Sequence, residues 1–591
     1  AAAILGREVP LRLLREVADG GGDPTPHLRV LTRLEFLYDK PATDEPVYVF
    51  THALTRDVAR ETLPPARRQA LHAAAGQALE RLYPDRLEEM ADRLAYHWSK
   101  AKQADKAVEF LTRVADKAAR SYAHVEAVTA LVEALGHVER LPVEGRIGRR
   151  LDLVLRQAHS LSFLGRFQET LELLAREQAE LDRLASPALA APYHFWLAHT
   201  HSYLGNHAQA GVSAGRALEA AGQARDAATM GKAFVVLAQE HYWAGQPLHG
   251  IARGRQAVEL LEPADERWWL GLAHWIVGIN YVIIGAFEAA LAAEARALAV
   301  GEALGDPRIQ SYATWSTGWI HALTGAWDAG IEACRRALGT APDPVNTAVA
   351  LGHLGYVHLE KRDAAQAIPL LEQAVAQIRQ FGFRRLEGRF TTFLGEAYLL
   401  AGRLDEARER VSEGLRITSE VRYWYGLGWA QHALGNVARA AGDLTEAEIN
   451  LAAARETFAR IQARFMLGRT DLALAELAEA RGDSGAAAHR LQDAYAIFRV
   501  LGVPSYVERA VGLAARLGVS LSEGATEPRV AIVRRGEEEL FRTLADHLAA
   551  LNLSRVIWDR RGELAPAALS ADDRRGPSPA SWDALGFLLA P

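Results

Sequence analysis

Six ring-bearing residues recur down the middle of the chain, and most of them could bind a metal. They are His201, His241, Tyr281, His321, His358 and Tyr398. Imidazoles in a regular ladder are a signal for a metal site. The spacing argues against that reading. The steps are of 40 residues, with one of 37, so each ring belongs to a different structural repeat. Packed helices lie ~8–10 Å apart, whereas zinc needs its nitrogens at ~2 Å. The ladder therefore reads as rings wedged between helices, and no metal is expected. A second candidate is His52 in "VYVFTHALTRDVARETL", at the join of a short β run and a helix. Its plain reading is a buried histidine that caps backbone groups, with Thr51 as the side-chain N-cap of the helix. Other chemistry is absent from the sequence. Gly231-Lys232 has no glycine five residues before it and no Ser or Thr after it, so it is not a phosphate-binding loop. There is no G-x-S-x-G, no H-E-x-x-H, no dinucleotide fingerprint and no recognisable pair of cyclase aspartates. No catalytic residue, and hence no enzyme, is expected in this chain.

What positions these residues is a repeat. Gly165, Gly205, Gly245, Gly285 and Gly325 are evenly spaced, and so are Arg362, Gly402, Gly442 and Gly482. Each mark follows an apolar-periodic helix and precedes another that opens on a small residue. Glycine marks the place where a helix ends in a left-handed turn, which costs glycine least. One pair of helices cannot bury its apolar face alone, so the repeats must stack into a solenoid.

The clearest copy is "FLGEAYLLAGRLDEARERV", in which Leu394-Gly395, Tyr398, Gly402 and Ala407 have the spacing of a tetratricopeptide repeat. "HLGYVHLEKRDAAQAIPLLEQAV" and "ALGNVARAAGDLTEAEINLAAA" repeat it. From about Gly145 to Val519 the chain resembles that family, with a period longer than the common 34 residues. Either longer helices or a longer connection must fill the difference. The family's usual tyrosine occupies the ladder position. The resemblance implies a concave face made by the first helix of each pair. Carried onto this chain, its inward positions include Phe195, His199, Ser202, Val235, Gln239, Tyr242, Trp275, Ile279, Val282, Trp315, Trp319, Ala322, Gly352, Tyr356, Leu359, Thr392, Glu396 and Leu399. Eight of the thirteen tryptophans lie between Trp196 and Trp327. We expect Phe195, His199, Tyr242, Trp275, Trp315, Trp319 and Tyr356 to be the candidate groove for a protein, a peptide or a small effector. The competing expectation is that these rings pack one repeat on the next.

Before the solenoid, "EVPLRLLREVAD" and "PHLRVLTRLEFLY" read as amphipathic helices, "DKPATDEP" as a turn-rich bridge and "VYVF" as a strand. "THALTRDVARETL" and "PPARRQALHAAAGQALERLY" follow as helices. Two helices, a small β wing and more helices are the order of a winged helix. The phrases "AAAILGREVPLRLL", "LTRLEFLYDK", "VFTHALTRDVARETL" and "RRQALHAAAGQALE" resemble the segment after the nucleotide-binding module in bacterial signal-transduction ATPases with numerous domains (STAND). The resemblance is to those that carry a class III adenylate/guanylate cyclase or a kinase in front and tetratricopeptide repeats behind. It covers Ala1 to about Arg140. It implies that this chain is the regulatory half of a longer protein, and that ATP/ADP and Mg belong to an upstream module. It also implies a role for His52: in related ATPases a winged-helix histidine touches the phosphates of bound ADP. Arg56 and Arg60 are offset by Asp57 and Glu61 on the same helix, so DNA is not expected as its partner.

The expected organisation is all-α: a winged-helix-like domain (1–84), a helical linker with the first helix pairs (85–144), a solenoid of about nine pairs (145–520) and a small α/β tail (521–591). In the tail "RVAIV", "RVIWDRR" and "WDALGFLLA" read as strands and "EEELFRTLADHLAAL" as one helix. The net charge of −6 gives no drive towards nucleic acid. A single cysteine, Cys334, excludes a disulfide framework, and no apolar run is long enough to span a membrane. A cytoplasmic protein is expected. The leading functional reading is a non-catalytic sensor and scaffold that regulates an upstream ATPase, cyclase or kinase module. A transcription regulator of the maltose-activator type is one alternative, disfavoured by the neutral, part-strand tail. A free-standing interaction solenoid is the other, disfavoured by the winged-helix phrases.

Overall fold

A computed structural model describes residues 1–18, 23–40, 46–522, 529–559 and 586–590. The chain forms two compact units. One comprises Ala1–Gln209 with Glu219–Ala224, the other Ala210–Leu218 with Arg225–Pro591.

The first unit opens with α1 (Ala2–Leu5), β1 (Glu8–Pro10), α2 (Leu11–Val17), α3 (Thr25–Arg33), β2 (Leu37–Lys40), β3 (Val47–Phe50), α4 (Ala53–Glu61) and α5 (Pro65–Leu82). The strands form an antiparallel sheet in the order β1-β3-β2, with Val9 opposite Tyr48 and Tyr38 opposite Val49. Ile4, Val9, Leu13, Leu14, Leu37 and Leu79 meet in its core. Two expectations change here. Glu8–Pro10 is a strand rather than the first turn of a helix, because Pro10 has no N–H to donate and suits an edge position. Leu37 and Tyr38 leave the preceding helix for β2, where Leu37 is buried. The "PATDE" part of the expected bridge lies outside the described residues. The unit continues with α6 (Ala91–Lys100), α7 (Ala104–Arg120), α8 (His124–Val138), α9 (Arg146–Phe163), α10 (Phe167–Leu184) and α11 (Pro187–Tyr203). The border between the units runs through α12 (His207–Ala224).

The second unit carries α13 (Ala227–Trp243), α14 (Pro247–Leu261), α15 (Arg267–Ile284), α16 (Phe287–Leu304), α17 (Pro307–Thr324), α18 (Trp327–Thr340), α19 (Pro344–Glu360) and α20 (Ala364–Phe381). After them come α21 (Arg384–Leu400), α22 (Leu404–Glu420), α23 (Trp424–Ala440), α24 (Leu444–Arg460), α25 (Arg464–Arg481), α26 (Ser484–Val500) and α27 (Pro504–Leu517). This is a tetratricopeptide-type α-solenoid. Most helices have 17 or 18 residues, as in α21 and α15, and short turns join them. The long period thus comes from extended helices. The one 37-residue step comes from α18, which has only 14 residues.

All nine sequence marks have positive φ, from Gly165 at 71° to Gly482 at 75°, and Arg362 adopts 64°. In the pairs that carry the Leu-Gly glycine or its equivalent the two helices nearly touch at it. A Cβ on Gly395 would lie 2.4 Å from Val411, and one on Gly435 would lie 2.6 Å from Leu451. Any side chain there would force the helices apart.

The unit coils back on itself. The end of α13 meets α23 and α24, where a Cβ on Gly245 would stand 2.7 Å from Ile461 and 3.0 Å from Trp424. Phe287 of α16 meets Phe465 of α25, with ring centroids 5.8 Å apart. Gly325, after α17, lies against Ser505 of α27. Each contact joins elements about five pairs apart, so five pairs complete one turn.

The tail folds as β4 (Arg529–Val533), α28 (Glu538–Asp546), α29 (Leu548–Leu551), β5 (Leu553–Trp558) and β6 (Phe587–Ala590). Its strands run β5-β4-β6, parallel in the first pair and antiparallel in the second. The expected single helix is broken at His547, whose ring packs on Tyr281 at 4.9 Å. Arg255–Asp546 (2.6 Å) and a bond from Arg464 to the Ala550 carbonyl (2.5 Å) tie the tail to α14 and α25. The Arg560-Arg561 and Arg574-Arg575 pairs lie outside the described residues.

Candidate functional site

Each inner helix of the second unit presents one residue per turn to the inside of the coil. On α21 that stripe is Arg385, Arg389, Phe393, Glu396 and Leu400, at the spacings that share one helix face. The sequence reading places Glu396 inward and passes over Arg385 and Arg389. Two arginines four apart on the face that carries Glu396 are the signal that could have found them.

All seven candidate groove residues are less than a tenth exposed. Phe195 and His199 belong to the first unit, where both pack around Trp196, with centroids at 4.7 and 5.5 Å. The other five lie in the second unit. The Tyr242 and Tyr423 hydroxyls are 3.3 Å apart. Trp275 donates to Ser316 Oγ at 2.9 Å. Trp315 stacks on His353 at 4.2 Å, Trp319 meets Tyr425 at 6.1 Å, and Tyr356 stacks on Phe393 at 4.5 Å. The sequence offers two readings of these rings, an open aromatic groove and the packing of one repeat on the next, and their burial agrees with the second. In the second unit the five form a packed interior, because the coil turns tightly enough for its inner face to meet itself.

Inside, the packing ends on a buried charge network. Arg469 of α25 lies 3.0 Å from Glu360 and 3.8 Å from Glu396. Tyr356 and Tyr506 donate to the two oxygens of Glu360 at 2.8 and 3.0 Å, and Trp429 donates to Glu396 at 2.8 Å. Arg469 also lies over the Trp429 ring at 5.4 Å. Burial pushes the Glu396 carboxyl up to about 7, against the pull of Arg469. Burial, with Arg469, Arg509 and Arg439 nearby, holds His432 well below its ordinary value. The neutral ring is fixed at both ends. Thr470 spends its O–H on the Met466 carbonyl, so His432 Nδ1 donates to Thr470 Oγ at 3.1 Å and Nε2 accepts from Asn436 at 3.0 Å.

This network forms the floor of a cavity of about 660 Å³. It opens where the C-terminal ends of α19, α21 and α23 converge with α25 and α27. Leu359, Glu396 and Leu399, three of the expected inward positions, line it. Arg439, Glu476, Tyr506 and Arg509 form its polar wall. Alternating guanidinium and carboxylate groups on rigid helices can hold a polar or charged group of either sign.

Two ladder histidines serve the turns that follow their helices, and Tyr398 instead reaches the neighbouring helix α20. His241 pairs with Gln246 at 2.8 Å, His358 approaches Asp363 at 3.7 Å, and Tyr398 donates to Glu372 at 2.5 Å. Among the described residues no group of three or more His, Cys, Asp or Glu side chains could hold a metal ion. His52 is exposed and begins α4 without a side-chain cap bond. This corrects both plain expectations: the ring is not buried, and Thr51, one residue further out, is not the N-cap. No residue of α4 is buried. Among the described residues no helix is long and apolar enough to cross a membrane.

The tetratricopeptide repeat family model matches residues 346–420 and 388–460, the stretch from α19 to α24. A comparison with curated proteins finds no match. Among solved structures, the chain is similar to a Rap protein complexed with competence and sporulation factor, with 13% identity and a TM-score of 0.46. That match covers 62% of this chain and 98% of the other. It is also similar to a STAND protein with a tetratricopeptide repeat sensor, PH0952 from Pyrococcus horikoshii, with 15% identity and a TM-score of 0.32, covering 78% of this chain and 62% of the other. Yeast Tom70 is a third, with 12% identity and a TM-score of 0.32, covering 73% of this chain and 96% of the other. The α19–α24 region is thus a run of tetratricopeptide repeats within a longer helical solenoid.

Proposed function

We propose that this chain is the sensor and scaffold region of a signal-transduction ATPase, and that it performs no catalysis. The observation that carries the reading is the polar-walled cavity at the converging ends of the inner helices. It offers binding groups on a rigid frame, the usual use of such a solenoid. A protein or small effector held there would bias how tightly the coil closes. Residues 1–84 would pass that bias, as a winged-helix-like module, to an upstream ATPase with a cyclase or kinase. The exposed apolar side chains Leu54 and Val58 of α4, beside the exposed His52, give that module a face on which to dock. Its place beside nucleotide phosphates in the parent protein is the role we propose for His52.

The test is a thermal-shift screen of peptides and metabolites against the purified chain, repeated with Arg439→Ala and Glu476→Ala. A compound that stabilises the wild type and neither variant supports the cavity. Equal shifts in all three proteins count against it. Coupling is tested in the parent protein: His52→Ala should raise basal ATPase or cyclase output, and unchanged output with unchanged ADP retention would sink that role.

A further inference from the structure

Arg389 is a buried cation without a counter-ion. It is 2% exposed, and its Nε and Nη2 have no hydrogen-bond partner. Its guanidinium carbon stands 4.1 Å from the centre of the Trp319 ring and 5.4 Å from that of Phe393. The phenols of Tyr423, Tyr242, Tyr425 and Tyr356 stand around it. The contrast with Arg469, which faces two carboxylates, lies within the same interior. Rings on the guanidinium face offset only part of the cost of taking the ion out of water. They leave its edge, where Nε and Nη2 carry N–H groups, unanswered.

More donors lack acceptors nearby. Trp319 Nε1 and Trp315 Nε1 are both buried and unpartnered. His353 lies between them, 4.2 Å from the Trp315 ring and 6.1 Å from Trp319. Its Nδ1 is spent on the Val349 carbonyl at 2.8 Å, so its unpartnered Nε2 is an acceptor. One turn before Arg389, Arg385 lies over Trp243 at 4.9 Å with its own Nε unpartnered, and Glu240 is the acidic group that acts on it. A cation edge, two indole N–H groups and one lone acceptor suit an oxyanion that also bears a hydroxyl.

We infer that Arg389 anchors an internal anion site, filled by a small oxyanion such as hydrogen phosphate or by the acidic end of a larger ligand, and that occupancy locks the coil closed. The lock follows from where the groups come from. Trp319 is on α17, Arg389 on α21 and Tyr425 on α23, with Tyr242 on α13, and the turn of the coil alone brings α13 to α23. The inference stands apart from the cavity, whose lining does not include Arg389.

The test uses the whole chain purified without phosphate or sulfate. Native mass spectrometry reads any retained ligand, and its mass separates a free oxyanion from a larger acid. Melting is then followed against inorganic phosphate at constant ionic strength. The expected result is a retained anion or a saturable rise in wild-type Tm of several degrees. Arg389→Met should show no such rise and should melt above the anion-free wild type, because the unpaired charge is gone. Trp319→Phe, which keeps a ring and loses the N–H, should need about tenfold more phosphate. If Arg389→Met fails to fold, Trp319→Phe serves as the control. No retained mass, with wild type and variants responding alike to phosphate, would overturn the site and leave the aromatic box as the guanidinium's only partner.

Discussion

The hydroxyls of Tyr242 and Tyr423 lie 3.3 Å apart although 181 residues separate them in the chain. The contact closes one turn of the coil and turns what would be a concave face into an interior. If closure is the sensing motion, the residues that set it should control both stability and response.

Gly245 is the first of these. It has φ of 70° and no room for a Cβ beside Ile461. Gly245→Val should destabilise the second unit by about 2–4 kcal/mol, combining left-handed strain with overpacking. Urea unfolding reads the loss, and hydrogen exchange should show α13 and α23 losing protection together. Tyr423→Phe should cost only about 1 kcal/mol, the net worth of one hydrogen bond.

Arg469 holds two buried carboxylates. Arg469→Met should cost about 3–5 kcal/mol, because it leaves Glu360 and Glu396 without their cation. Adding Glu360→Gln should recover part of that loss. Equal losses in the single and double variants would show that packing, not charge, dominates at the site.

Glu294 is buried in the gap left by Gly278, with Oε1 2.3 Å from where a Cβ would sit and no partner for either oxygen. The equivalent residues of later pairs are Cys334, Leu371, Val411 and Leu451. Burial pushes its carboxyl well above the ordinary value. The folded state therefore keeps its proton while the unfolded state releases it. Stability is fully present below about pH 4.5 and falls as pH rises towards the folded pKa, by up to about 1.4 kcal/mol per unit. Glu294→Met should remove that slope between pH 5 and 7, read as the pH dependence of the wild-type–variant difference in denaturant midpoint.

His72 and His97 in the first unit face each other through Nδ1 atoms 3.0 Å apart. One must donate and the other accept, so the accepting ring is neutral, and burial favours the neutral form of both. Burial lowers their pKa values to about 4 and about 3. Stability is present above pH 6.5 and is lost as pH falls towards those values, up to about 2 kcal/mol at pH 5 for His97. His97→Met should flatten this acid limb. Exchange protection of α5 and α6, compared at pH 7 and pH 5, checks it.

Much of this fold is legible because a left-handed turn prefers glycine. Gly402 and its equivalents mark the turns within pairs. A second ladder runs between pairs, at Ala185, Arg225, Asp265, Gly305, Gly382, Arg422, Gln462 and Gly502, all with positive φ. It is hidden in the sequence because more than half of its residues are not glycine, and tertiary packing outweighs the cost of about 1 kcal/mol each.

The sequence by itself determines the helix pairs, their period and the turns that join the two helices of a pair. Those features reside in local periodicity and turn chemistry. Whether the inward face is a groove or a core was decided by tertiary structure alone. Small rotations between stacked pairs add up over five repeats, and no single repeat records their sum. That sum buries Trp319 and Tyr356, leaves Arg389 among rings without a counter-ion, and places Glu360, Glu396 and Arg469 in one network.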